Sequence, residues 1–295
     1  MKKRRFYILD VFAEKKYAGN QLAVFRDAAD LSSDKMQAIA KEMNYSETTF
    51  ILSEKERSGG YDVKIFTLAE EVPFAGHPTL GTAFLIQQKI IQRSVEKVNL
   101  NLMAGQIPVS FFYKNDSVDY LWMKQNPPKF GKSINQDVIA RALTLNKSDI
   151  LGKYPIQEVS TGLPFLIAPL KDLDAVKNAR INREIFFDLV KTIQAKSILV
   201  FAPETYNPEN DLNVRVFVDY YGIPEDPATG SANGCLAAYL IKNDYFGKKK
   251  INIRVEQGYE IGRESLLLLR SEIKNDVIEV HVGGRVILTA EGYLY

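Results

Sequence analysis

Cysteine occurs once in these 295 residues, tryptophan once and histidine twice. A single cysteine cannot close an internal disulfide, so nothing in the composition asks for an oxidising compartment. His77, His281 and Cys235 are widely spaced and form no recognisable zinc set. An excess of charge is also missing, since 38 basic against 36 acidic residues leave a net +2. The basic clusters Lys2 to Arg5 and Lys248 to Lys250 are short, which fits solvated ends better than a nucleic-acid surface. No window approaches the roughly eighteen uncharged apolar residues of a membrane span. Met1 to Arg5 resembles the charged start of a signal peptide, but Asp10, Glu14, Lys15 and Lys16 interrupt the apolar run that would have to follow. The expectation is a cytoplasmic protein with neither nucleic-acid nor membrane partner.

Several catalytic signatures are absent as well. There is no G-x-x-x-x-G-K-[ST] loop and no G-x-G-x-x-G, so nucleotide cradles lack their glycines. Ser231 lies in Thr-Gly-Ser-Ala-Asn, not in a G-x-S-x-G elbow. Cys235 falls on a helical stripe with Ala232, Leu236, Tyr239 and Leu240, which reads as a packed core thiol.

What is present is an ordinary globular balance, 46% apolar and 25% charged, over a length that suits two domains. Short strands are expected at 6–11 and 21–25 around an Ala18-Gly-Asn20 turn, then a helix capped by Ser32 or Ser33 and running to about Met43. Strands follow at 48–52 and 61–66, a helix at 78–88, and strands at 98–103, 106–113 and 118–123. Asn126-Pro-Pro-Lys-Phe-Gly131 reads as a linker that joins no ladder. Beyond it come strands at 157–160 and 165–168, a helix at 183–194, and strands at 197–201 and 214–218. A second apolar helix precedes strands at 251–256, 265–269, 277–282 and 286–290. The expected division is an N-terminal half 1–125, a linker 126–130 and a C-terminal half 131–284, with a strand near 285–295 as a candidate to complete the first half.

The two halves echo each other. Placing Gly76 on Gly230 sets an offset of 230 − 76 = 154, with Ala83 on Ala237 and Leu85-Ile86 on Tyr239-Leu240. The helices beginning at these glycines are apolar on all faces, so each has to be wrapped by protein. A buried helix brings its start indoors, where the first N–H groups have no intrahelical partner. Pro78 suits the first turn, and glycine lets a ligand approach backbone closely. With the helix dipole, each start becomes a place for a carboxylate. The alternative is self-capping, by Thr229 or Ser231 in the second helix and by water or His77 in the first.

Candidates for proton transfer nearby are His77, Asp226 and Glu47. A histidine at a helix start is disfavoured as imidazolium, which leaves a neutral ring able to donate or relay, or simply a structural one. His281 alternates with apolar residues and reads as structural. Asp226 before Pro227 reads as a turn residue and a ligand contact at once. Local sequence alone does not select Glu47, which stands between a helix and a strand.

The stretches Asp10 to Phe25 (DVFAEKKYAGNQLAVF), Ser46 to Phe50 (SETTF), Val72 to Ala83 (VPFAGHPTLGTA), Glu225 to Gly234 (EDPATGSANG) and Val282 to Gly292 (VGGRVILTAEG) resemble the PhzF-like phenazine-biosynthesis family, which shares the diaminopimelate epimerase fold. The resemblance implies an α+β fold of two pseudo-twofold-related domains. Each would be a mixed, mostly antiparallel sheet wrapped around a central apolar helix, with the site in an interdomain cleft and a homodimer as the usual assembly. It implies Glu47 as acid/base with a raised pKa, His77, Asp226 and Ser231 as its catalytic partners, and Gly76, Gly230 and Asn20 as substrate-binding residues. The implied activity is isomerisation of a small carboxylate-bearing, unsaturated or cyclic metabolite, with no metal or organic cofactor. The epimerases of this fold place a cysteine before each glycine, where this chain has Ala75 and Thr229. Two-thiol racemisation is therefore not expected. An epimerase using Glu47 and Asp226 as opposed bases, and a carboxylate-binding or interaction protein, are the alternatives. Gln21 departs from the proline common after the Gly-Asn pair, which bears on the local turn.

Overall fold

A computed structural model describes residues 3–295, so Met1 and Lys2 of the basic opening lie outside the described residues. Among the described residues there are six α-helices: α1 Ser33–Met43, α2 Gly76–Ile86, α3 Gln136–Ala142, α4 Leu173–Asn178, α5 Arg183–Thr192 and α6 Gly230–Lys242. None is long and apolar enough to cross a membrane. The chain forms two compact units. The first runs through Met123 and takes in Gly283–Tyr295, and the second is Lys124–Val282.

In the first unit, strand Arg4–Val11 pairs antiparallel with both Val286–Leu294 and Asn20–Phe25. Asn20–Phe25 runs parallel to Glu47–Ile51, which is antiparallel to Tyr61–Thr67. That strand takes Glu71–Val72 antiparallel and Lys97–Leu102 parallel, and the hairpins through Gly105–Lys114 and Ser117–Lys124 follow. The turn entering Asn20 depends on Gly19, whose φ is +68° and whose missing Cβ would lie 2.4 Å from the Val11 carbonyl oxygen.

The second unit repeats this order. Ile156–Ser160 is antiparallel to Pro164–Pro169, which runs parallel to Ile198–Ala202. Ile198–Ala202 is antiparallel to Leu212–Phe217. Leu212–Phe217 takes Glu225–Asp226 antiparallel and Lys250–Gln257 parallel, and Ser265–Lys274 pairs antiparallel with the latter. The two-residue strands Glu71–Val72 and Glu225–Asp226 stand 154 residues apart, the same offset as the helix starts that follow them.

Each apolar helix is the core of its unit. Every residue of α2 is buried, as is every residue of α6 except Ser231 and Lys242. Burying a Leu, Ile or Phe contributes roughly 1.5–3 kcal/mol, so a helix apolar all round has a strong reason to lie inside the sheet. Gly81 brings α2 onto its sheet, because a Cβ there would meet Leu22 at 2.6 Å and Val11 at 2.9 Å. The Thr49 and Thr82 hydroxyls, 2.8 Å apart, tie the helix to strand Glu47–Ile51. On the other face of that sheet, α1 packs Met36 and Ile39 against Phe25, Phe50 and Phe66, with Ser32 as its N-cap accepting from the Lys35 N–H.

The Pro-Pro-Lys-Phe-Gly run corrects one expectation. Lys129–Ile134 is a strand, antiparallel to Ile156–Ser160, with Phe130 opposite Val159. The prolines end just before it, so the ladder needs no N–H from them. Gly131 makes room for Glu158, whose Cβ would lie 3.0 Å from a Cβ at that position. The Glu158 carboxylate accepts from the N–H groups of Lys132, Gln194 and Ala195.

Candidate active site

Strand pairing brings Glu47 to α2. Leu22 is opposite Glu47 across the parallel pair of the first unit, and Gly81 touches Leu22. His77 is one turn before Gly81 on the same helical face, so its ring comes down beside Gln21 and Glu47. The Glu47 carboxyl oxygen Oε2 lies 3.5 Å from His77 Nε2, with the Glu47 side chain 19% exposed and His77 buried. That is slightly long for a hydrogen bond, and catalytic hydrogen bonds in unliganded sites commonly tighten when substrate binds.

The imidazole is neutral. Burial disfavours its charged form and pulls its pKa from 6.5 down to about 3, against an upward pull from a hydrogen bond to the Gln21 backbone. A bond that favours protonation is one in which the ring N–H donates to a carbonyl. Nε2 has no hydrogen-bond partner, so Nδ1 is the nitrogen that donates. Nε2 is thus the bare acceptor nitrogen, held toward Glu47. Ala75 stands at the N-cap of α2 and supplies no side-chain cap. His77, with one ring nitrogen on the Gln21 backbone and Nε2 without a hydrogen-bond partner, is not the cap of the first-turn N–H groups.

In the second unit Asp226 belongs to the short strand before α6 and is half-buried, like Ser231 in the first turn. Gly230 is buried at the helix start. Thr229 occupies the N-cap position but does not cap the helix. Its hydroxyl donates instead to Asp226 Oδ2 at 2.5 Å. Gln257, fully buried, donates from Nε2 to the Asp226 carbonyl at 2.7 Å and to Thr229 Oγ1 at 3.1 Å. Its Oε1 accepts from the Thr229 N–H at 3.2 Å and from Asn233 Nδ2 at 2.8 Å.

Asn20 is buried at the start of its strand, opposite Val11. His281 is partly buried, and burial is the leading cause of its lowered pKa. Cys235 is buried with its thiol pushed up to about 12 by desolvation, which removes it as a nucleophile. Among the described residues no group of three or more His, Cys, Asp and Glu side chains comes together to hold a metal ion.

Sequence reading missed the Gln21 backbone and Gln257. The expected strand stopped at Glu256, because a Gln-Gly step reads as the beginning of a loop. The only sequence signal near Gln21 is its place directly after the Gly19-Asn20 turn; its backbone carbonyl carries no residue-type signature.

A phenazine biosynthesis-like family model matches residues 9–292. An isomerase of Clostridium acetobutylicum is 32% identical over 302 residues, covering 100% of this chain and 99% of the relative. The trans-2,3-dihydro-3-hydroxyanthranilate isomerase of Pseudomonas aeruginosa is 31% identical over 294 residues, covering 99% of each. The crystal structure of a PhzF-family phenazine biosynthesis protein from Bacillus anthracis superposes with a TM-score of 0.91 at 26% identity, covering 100% of both chains. With an α+β fold of this kind and relatives named as isomerases along their whole length, the protein is an isomerase. The chain belongs to the phenazine biosynthesis-like, or PhzC-PhzF, family.

Proposed function

We propose that this isomerase moves a proton between two positions of a small unsaturated or cyclic carboxylate, with Glu47 as the acid/base. The observation that carries the reading is the pairing of the Glu47 carboxyl with the acceptor nitrogen of a buried, neutral His77. An acceptor nitrogen is matched by a protonated carboxyl and mismatched by an ionised one. Glu47 and His77 would therefore hold one mobile proton as a pair, ready to be given to a substrate carbon and recovered from another. General acid–base catalysis of this kind contributes roughly 10²–10⁴-fold.

A substrate carboxylate would find donors in the first-turn N–H groups at Gly76, where the helix dipole favours an anion. Gly230 would be a second backbone donor, Asp226 and Ser231 further proton-handling or orienting partners, and Asn20 a substrate contact. The absence of thiols supports a carboxyl mechanism over two-thiol racemisation. Ala75 has no functional group, the Thr229 hydroxyl is committed to Asp226, and Cys235 is buried. A homodimer and a cytoplasmic location belong to the same proposal, and light scattering on the purified protein tests the first.

The test is incubation in deuterated water with trans-2,3-dihydro-3-hydroxyanthranilate, the compound named for the Pseudomonas relative, and in parallel with a small-molecule cell extract read by mass spectrometry. One carbon-bound deuterium gained with wild-type protein and not with Glu47→Gln supports the proposal and identifies the substrate. Carboxylate binding without any exchange would turn the reading toward a binding role.

A further inference from the structure

The start of α6 carries a polar network, and the equivalent start of α2 is an internal control for what such a network is for. The ladders make the comparison residue by residue. Ile65 pairs with Val72 as Val216 pairs with Asp226. Ala75 precedes Gly76 as Thr229 precedes Gly230. Asp62 pairs with Asn101 as Asn213 pairs with Glu256, which sets Leu102 on Gln257. Thr79 returns its hydroxyl to the Ala75 carbonyl at 2.7 Å, as Asn233 returns its amide to the Thr229 carbonyl at 3.1 Å. One unit thus forms this helix start with Val72, Ala75 and Leu102, and the other with Asp226, Thr229 and Gln257. The fold itself does not require the polar set.

Hydrogen-bond direction then tells what the set does. Gln257 Nε2 can only donate, so Thr229 Oγ1 accepts from it. The single proton of that hydroxyl is left to point at Asp226 Oδ2. Gln257 also holds the Asp226 carbonyl and the Thr229 N–H, fixing both ends of the Asp-Pro-Ala-Thr turn. Gly258, with φ +81°, lets the strand end come this close, because a Cβ there would lie 2.7 Å from the Pro227 carbonyl oxygen. The Asp226 side chain remains half-buried while Gln257 behind it is fully buried.

We propose that Gln257 and Thr229 are positioning residues that aim the Asp226 carboxylate for the isomerase reaction. The proposal rests on the reading that Asp226 takes part in that reaction. Misplacing a reacting group by about 1 Å can cost on the order of 10²-fold in rate, which sets the effect to look for.

The experiment measures kcat and KM for deuterium incorporation into the compound that wild-type protein labels, for Thr229→Val, Thr229→Ser, Gln257→Leu and Asp226→Asn, with thermal melting of each. Thr229→Val and Gln257→Leu are expected to lower kcat about 10- to 100-fold with KM within about threefold, while Thr229→Ser, which restores the hydroxyl, returns kcat to within about threefold of wild type. Thr229→Val decides the matter by itself if Gln257→Leu fails to fold. The proposal is overturned if Asp226→Asn is inactive while Thr229→Val works at the wild-type rate, or if Thr229→Ser is as slow as Thr229→Val. A fully active Asp226→Asn, or a wild type that labels nothing, instead removes the reading of the reaction, and the positioning role with it.

Discussion

Glu47 Oε2 and His77 Nε2 lie 3.5 Å apart, one at the first residue of a strand and the other in the first turn of a buried helix. Two packing events set that distance. The parallel register places Glu47 beside Leu22, and Gly81 seats the helix on Leu22 and Val11. The proposed acid/base pair is therefore as rigid as the core beneath it.

Removing the acid should abolish exchange without unfolding the protein. Glu47→Gln is expected to lower deuterium incorporation by roughly 10²–10⁴-fold. Its stability should change by no more than about 1 kcal/mol, since the side chain is part-exposed and the amide nearly isosteric. Mass spectrometry and urea unfolding check the two halves separately, and a variant that keeps its activity would remove Glu47 from the mechanism.

The buried His77 makes stability depend on acid. Its pKa is near 6.5 unfolded and about 3 folded, so between those values the unfolded chain binds a proton that the folded chain refuses. Stability is complete above about pH 7 and falls as pH drops toward 3, by about 1.4 kcal/mol per pH unit at most from this residue. Urea midpoints at pH 7 and pH 4 should therefore differ less for His77→Gln than for wild type. His281, also lowered chiefly by burial, contributes with the same sign in both proteins and cancels in the comparison. Equal acid loss in the two proteins would mean that the ring is not held neutral.

The thiol of Cys235 should be inert in the folded state. With its pKa pushed up to about 12, and hydrogen bonding to Thr161 and Leu163, it should react with a disulfide reagent at pH 8 only after denaturant is added. Cys235→Ala should retain exchange within about threefold while losing on the order of 1 kcal/mol of stability. Fast labelling of native protein would contradict this.

Gly81→Ala tests how the site depends on helix seating. The added methyl meets Leu22 and Val11 at under 3 Å, so overpacking of roughly 1–3 kcal/mol is expected. Because His77 is on the same helical face, exchange should fall together with the melting temperature. A variant as stable and as active as wild type would show that the helix has slack on its sheet.

Some of this was legible in the sequence for definite reasons. The charge-free run from Thr79 to Ile86 demands burial wherever it is placed, and the Ser32 cap marks the start of α1 within a residue. The 154-residue echo was visible at the glycines, and the matching strand orders extend it to whole sheets. Four short helices or strands escaped notice because they lack length for a period to register: Gln136–Ala142, Leu173–Asn178, Glu71–Val72 and Glu225–Asp226. The strand Lys129–Ile134 was hidden by the prolines before it.

The sequence by itself determined the family, the two buried helices and the residue types gathered near their starts, because hydrophobic content and glycine placement are local properties. Only the tertiary structure decided which polar groups face each other. That Nε2 of His77 is an acceptor follows from the Gln21 backbone taking the other ring nitrogen. That the Thr229 hydroxyl points at Asp226 follows from a glutamine on a strand that ends 28 residues later. Hydrogen-bond direction depends on every partner at once, and those partners meet only when distant segments of the chain pack.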